Sequence, residues 1–260
     1  MTSSELVAYL SIVNKGDWNG IMNSIHVKMP VDEEKALAAL AKLKSHYVTL
    51  LDPNYPQILK EIARPPLCLF YRGQLSLVQD AGKCVSMVGS REASKYGLDM
   101  AKTLAKGAAQ NGFTVISGLA KGIDGAVAEA SVDYGAAVAV LGNGVDYMYP
   151  LEHSDLQKKI SGAGLVLSEY PDGTHPSVHT FPARNRIIAG LSKTTILVEA
   201  KKRSGTMITA AFALEFNREL GAVPYHANEE SVCNQIIKEG GAMVESVDDL
   251  LFLLGAKILN

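Results

Sequence analysis

Along the first fifty residues apolar positions recur at helical spacing, Leu6, Leu10 and Val13 and then Leu37, Leu40 and Leu43, which predicts a small helical domain over residues 1–52. Asp32-Glu33-Glu34 opens the second run with a capping residue followed by negative charge, where a helix N-terminus favours both. Pro53, Pro56, Pro65 and Pro66 follow at a density that forbids a long helix, so 53–82 reads as a linker and lead-in to a sheet. From Lys83 the pattern changes. Apolar runs near 84–88, 113–117, 136–141, 164–168, 194–199 and 222–226 alternate with helical patterns, clearest near 94–110, 123–133, 184–191, 206–219 and 247–254. That alternation is the sequence form of an α/β fold, a parallel sheet with crossover helices. Runs such as Ala136–Leu141, apolar without a break, suit strands covered by helices on both faces.

In such sheets ligands bind beyond the C-terminal ends of the strands. The expected turns there are glycine-rich: Gly89-Ser90-Arg91 after the first strand, Gly118-Leu119-Ala120-Lys121-Gly122 after the second and Gly142-Asn143-Gly144 after the third. The fifth strand leads through Lys201, Lys202 and Arg203 to Ser204-Gly205-Thr206 at a helix start. Glycine lets main-chain amides approach an anion, and a helix N-terminus adds a favourable dipole. One such turn is equally well a tight turn. Four on one sheet edge, with Arg91 and Lys121 beside two of them, point to phosphate binding. The first turn is not GxGxxG and no GxxxxGK[ST] loop is present, which disfavours a dinucleotide fold and a nucleoside triphosphatase.

Composition narrows the reading. With 47% apolar and 20% charged residues the chain should fold almost throughout. The net charge of −2 argues against a generally basic nucleic-acid binder, so any such contact must come from a local patch. Arg184, Arg186, Lys193, Lys201, Lys202 and Arg203 against the single acid Glu199 form one; a solvated charged face is the alternative. Cys68, Cys84 and Cys233 lack CxxC spacing and read as reduced core thiols. His26, His46, His153, His175, His179 and His226 show no metal-binding spacing, and Pro176 separates the pair at 175 and 179. Without a signal-peptide pattern or a span-length apolar run, the expected location is cytoplasmic with no membrane contact.

The longest distinctive runs are Phe181-Pro182-Ala183-Arg184-Asn185-Arg186-Ile187-Ile188-Ala189-Gly190-Leu191-Ser192 and Ser204-Gly205-Thr206-Met207-Ile208-Thr209-Ala210-Ala211. With Tyr55-Pro56, Pro65–Gly73, Val88–Arg91, Ser117–Asp124, Leu141–Gly144 and Tyr149-Pro150 in the same order, the chain resembles the DNA-processing protein A (Smf) family over roughly residues 50–240. The resemblance implies an extended Rossmann-like sheet over 83–260, a sterile-alpha-motif-like N-terminal unit, a homodimer, single-stranded-DNA binding in natural transformation, and loading of the RecA recombinase. It implies neither catalysis nor a cofactor. It makes Arg91 the pocket arginine and extends the site to Ser90, Gly118, Lys121, Arg184, Asn185 and Arg186. Gly89, Gly142, Gly205 and Thr206 join it from the turns, and Phe181 is the stacking candidate. Lys121, Ala128, His153 and Tyr225 depart from the family pattern, where arginine, histidine, asparagine and glycine are frequent, and the winged helix that some members carry C-terminally is not expected here.

Rival readings stay open. Arg184 and Arg186 could sit in internal ion pairs. Asp124 is expected to cap its helix and Glu199 to pair with an arginine. Trp18, Tyr47 and Tyr55 read as packing groups. A plain Rossmann-like nucleotide-binding protein and a nucleoside-monophosphate phosphoribohydrolase are the functional alternatives, the latter weakened because Gly205-Thr206 is followed only distantly by Glu215. The apolar run Leu250–Leu254 is either a dimer face or sheet packing.

Overall fold

The computed structural model describes residues 1–202, 204–227 and 231–256; Arg203 of the basic segment lies outside them. Helices α1 (Ser3–Val13), α2 (Trp18–His26) and α3 (Glu33–Leu40) start at Thr2, Asp17 and Asp32, each of which accepts a first-turn amide. The helical expectation ends there, because His46–Thr49 is strand β1, antiparallel to β2 (Cys68–Gly73). The supposed linker therefore supplies a strand: its prolines break helices, but Cys68-Leu69-Phe70 beyond them is apolar and fully buried. Trp18 and Tyr55 pack as expected, donating from Nε1 to the Pro65 carbonyl (2.9 Å) and from the hydroxyl to the Pro66 carbonyl (2.8 Å).

The parallel part comprises β3 (Cys84–Gly89), β4 (Thr114–Ser117), β5 (Ala137–Leu141), β6 (Leu165–Ser168), β7 (Thr194–Glu199), β8 (Glu219–Ala222) and the short β9 (Ala242–Met243). Among the described residues nine strands form one sheet ordered β1-β2-β6-β5-β4-β3-β7-β8-β9, with β2 antiparallel to β6. Side chains alternate between faces. Val138 and Val140 join the core under α7 (Thr180–Gly190) and α8 (Gly205–Glu215), with Ile187, Ile188, Ala210 and Ala213. Val85, Met87 and Val115 face α4 (Lys95–Gln110), α5 (Ile123–Val132) and α10 (Val247–Leu253). Helix α6 (Ser154–Ala163) covers β5 and β6 through Ile160, and α9 (Cys233–Lys238) packs beside β8.

Two expectations are corrected near the C-terminus. The strand expected at 222–226 ends at Ala222, since Pro224 has no amide for a ladder; the helix expected to reach 219 stops at Glu215, before Asn217 with φ 53°. Within 250–254, Leu250 and Leu251 are buried on α4, and only Phe252 is largely exposed, at 76%. The chain winds outward from β3 through β4, β5 and β6, then returns through α7 to β7 on the other side of β3. This reversal opens a crevice at the C-terminal ends of β3 and β7.

Candidate functional site

A cleft of about 530 Å³ occupies that crevice, lined by Ser90, Arg91, Phe181, Arg184, Asn185, Lys201, Ser204, Gly205 and Thr206 among others. A recess of about 60 Å³ adjoins it, reaching Gly118, Lys121, Gly142, Asn143 and Tyr149. Strand β3 enters through a bulge between Val88 and Gly89. The Ser90 amide donates to the Glu199 carbonyl (2.8 Å), and the Ile123 amide to the Ser90 carbonyl (3.1 Å). Gly89 is needed for packing, because a Cβ there would lie 2.5 Å from Ile123 Cγ1. Arg91 is exposed. Its guanidinium lies 5.6 Å from the Phe181 ring centre, and among the described residues it makes no hydrogen bond or ion pair.

The second turn is held from beneath. Arg184 Nη1 donates to the carbonyls of Gly118 (2.7 Å) and Val140, and His153 Nδ1 lies 3.0 Å from the Leu119 carbonyl, a geometry that requires the proton on Nδ1. Leu119 is fully buried at φ 57°, a backbone region that leucine rarely adopts, so the turn's shape is imposed by these contacts. Gly118 leaves room for the Arg184 guanidinium, which a Cβ would strike. Arg184 is thus a buried scaffold group with one side on the cleft. Burial pulls its pKa down to about 10, against the neighbouring Asp124 carboxylate, so it stays charged at neutral pH. Asp124 does not cap α5, whose cap position is Gly122; it lies buried in the first turn, and burial pushes its carboxyl up.

Helix α7 separates its two arginines. Residues two apart on a helix diverge, and Arg186 turns away to Glu169 (2.5 Å) and to the carbonyls of Ala183 and Arg64. Its assignment to the phosphate site is therefore corrected: it is the internal ion-pair partner. Asn185 stays at the cleft, accepting from Arg184 Nε (3.1 Å) and donating to the Gly205 carbonyl (3.2 Å). Phe181 packs over Gly142 and lies 5.5 Å from Tyr149, centre to centre. Lys121 is exposed and paired with Glu152.

The two helix N-termini at the cleft differ. Ser204 makes no side-chain cap to α8, and the space around Gly205 is open. The start of α4, by contrast, is capped by Ser94 and filled by the Glu199 carboxylate, so Arg91 does not share it with a phosphate. Glu199 bonds Ser94 and Tyr225, not an arginine. Sequence reasoning missed this cluster because its three members lie far apart in the chain, at the start of α4, the end of β7 and the segment after β8. Tyr149 could have been found from its place just after the third turn.

Fold and cleft together define a doubly wound α/β protein with an open cationic crevice at its switch point. The chain belongs to the DNA recombination-mediator protein A family, whose pattern matches residues 46–255. It is 42% identical over 206 residues to DNA processing protein DprA of Streptococcus pneumoniae, covering 78% of this chain and 72% of that protein. It is 39% identical over 215 residues to Protein Smf of Synechocystis sp., covering 81% of this chain but 54% of the relative, so it spans about half that protein's length. The X-ray structure of the S. pneumoniae protein superposes with a TM-score of 0.81 at 33% identity, over 97% of this chain and 98% of that one. A structure of DNA processing protein A from Helicobacter pylori, described for its single-stranded-DNA binding mode, gives 0.74 at 27% identity, over 81% and 96%.

Proposed function

We propose that this chain binds single-stranded DNA by its phosphates in the β3–β7 crevice, and that it acts in the cytoplasm as a non-enzymatic homodimeric mediator, protecting incoming DNA and loading RecA during natural transformation. The observation that carries the reading is Arg91: a guanidinium without an ion pair among the described residues, beside an aromatic ring, on an open cleft that the uncapped start of α8 also lines. A guanidinium forks two phosphate oxygens, a helix N-terminus attracts a further anion, and Phe181 offers a face on which a base can stack. The site residues are then Gly89, Ser90, Arg91, Gly118, Lys121, Gly142, Phe181, Arg184, Asn185, Gly205 and Thr206, with Arg91 in contact with phosphate and Arg184 supporting the turn. Family membership and the H. pylori relative support the same ligand. Among the described residues no helix is long and apolar enough to cross a membrane, and no cluster could hold a metal ion.

Titration of a labelled oligonucleotide at several salt concentrations tests the proposal. Arg91→Ala should weaken binding on every sequence and lower the log–log salt slope by about 0.7 for each phosphate that is no longer neutralised. Unchanged affinity and slope overturn it. The hydrolase alternative predicts adenine released from AMP; against it, Glu215 ends α8, about 15 Å along the helix from Gly205. For the dimer, exposed Phe252 marks the part of α10 left for a second copy, and a monomer mass by light scattering at micromolar concentration refutes it.

A further inference from the structure

We propose that Glu199 is a positioning residue for Arg91, reinforced in this chain by the Tyr225 phenol; the inference rests on the DNA site proposed above. Arg91 sits on a loop of five residues, Ser90 to Ser94, and Glu199 holds both ends. Its main-chain carbonyl accepts from the Ser90 amide (2.8 Å). Its Oε2 accepts from the Ser94 amide (2.9 Å), the Ser94 hydroxyl (2.7 Å) and the Tyr225 hydroxyl (3.0 Å). The carboxylate is buried, and Gly97 clears the space for it: a Cβ there would collide with Oε2.

An ionised acceptor with several donors is stronger than a neutral one and fixes geometry. Among the described residues the loop's one ion pair, Lys201 with Glu92 at 3.7 Å, is exposed and contributes little. The carboxylate also fills the α4 N-terminus with a built-in anion, so a ligand phosphate is left to Arg91 and α8. Tyr225 adds a tether from the segment after β8, itself fixed by Asn234, which donates to the Tyr225 carbonyl (2.7 Å) and accepts from its amide (2.9 Å).

The test is a double-mutant cycle read by anisotropy of a labelled thymine-only oligonucleotide, with folding checked by circular dichroism. Glu199→Gln should weaken binding about fivefold in the parent and leave it unchanged in an Arg91→Ala background, the coupling expected when one group acts through the other. Tyr225→Phe, which removes one donor and is the safer variant for folding, should give about a twofold loss with the same dependence on Arg91. Equal losses in both backgrounds, or no loss from either variant in the parent, overturn the inference and leave the DNA site standing. An Arg91→Ala protein that binds like the parent overturns both.

Discussion

Arg186→Met separates the two arginines of α7 by what each holds in place. The parent side chain makes three hydrogen bonds, to Glu169 Oε1 at 2.5 Å and to the carbonyls of Ala183 (2.9 Å) and Arg64 (3.1 Å). The side chains of Arg186 and Glu169 are only 8% and 5% exposed. Methionine keeps most of the length but strands a buried carboxylate, a change that costs about 3–5 kcal/mol. In a chain of this size that lowers Tm on the order of 10 °C. Calorimetry should show that fall, while oligonucleotide affinity, measured at a temperature where both proteins are folded, stays within about twofold, a few tenths of a kcal/mol. Adding Glu169→Leu should restore much of the stability, because an apolar pair of similar volume replaces a buried ion pair at little cost. The reasoning fails if Arg186→Met melts within about 2 °C of the parent, less than 1 kcal/mol of stability, yet binds DNA far more weakly. Arg186 would then reach the ligand.

Gly118→Ala places a methyl 2.6 Å from Arg184 Cζ, so it should cost about 1–3 kcal/mol of stability, visible in a melt, and weaken DNA binding as the guanidinium is displaced. Lys121→Ala should weaken binding less than Arg91→Ala in parallel titrations, since its ammonium is already shared with Glu152. Burial raises the Asp52 pKa, but the Ser4 hydroxyl and the Thr49 amide and hydroxyl together hold it below the usual aspartate value. A lowered folded pKa means stability that is complete above about pH 4 and lost as pH falls through the folded value. Asp52→Asn should flatten urea-denaturation stability across that acid window. Mixed, thymine-only and cytosine-only oligonucleotides should bind alike; a spread above about 2 kcal/mol would reveal base readout.

Strands β3 to β7 were legible because each is a short, mostly apolar run, and β3, β4 and β5 lead into glycine turns; β9, two residues long, was not. β1 and β2 were not, since a four-residue strand and a strand beyond paired prolines carry no alternation long enough to see. Within the site, Arg91, Phe181 and Gly205 were legible as chain neighbours of turns. Arg184 and Arg186 look identical in sequence, and only the packing of α7 against Gly118 on one side and Glu169 on the other tells them apart. At positions 89 and 118 the sequence shows only that a glycine is present; the structure adds that Ile123 and the Arg184 guanidinium occupy the space a Cβ would need.

The sheet's two outermost strands span four and two residues, His46–Thr49 and Ala242–Met243. A border that short offers too few free amides and carbonyls to template another chain. Two borders that short work against copies of this molecule joining their sheets across a shared seam.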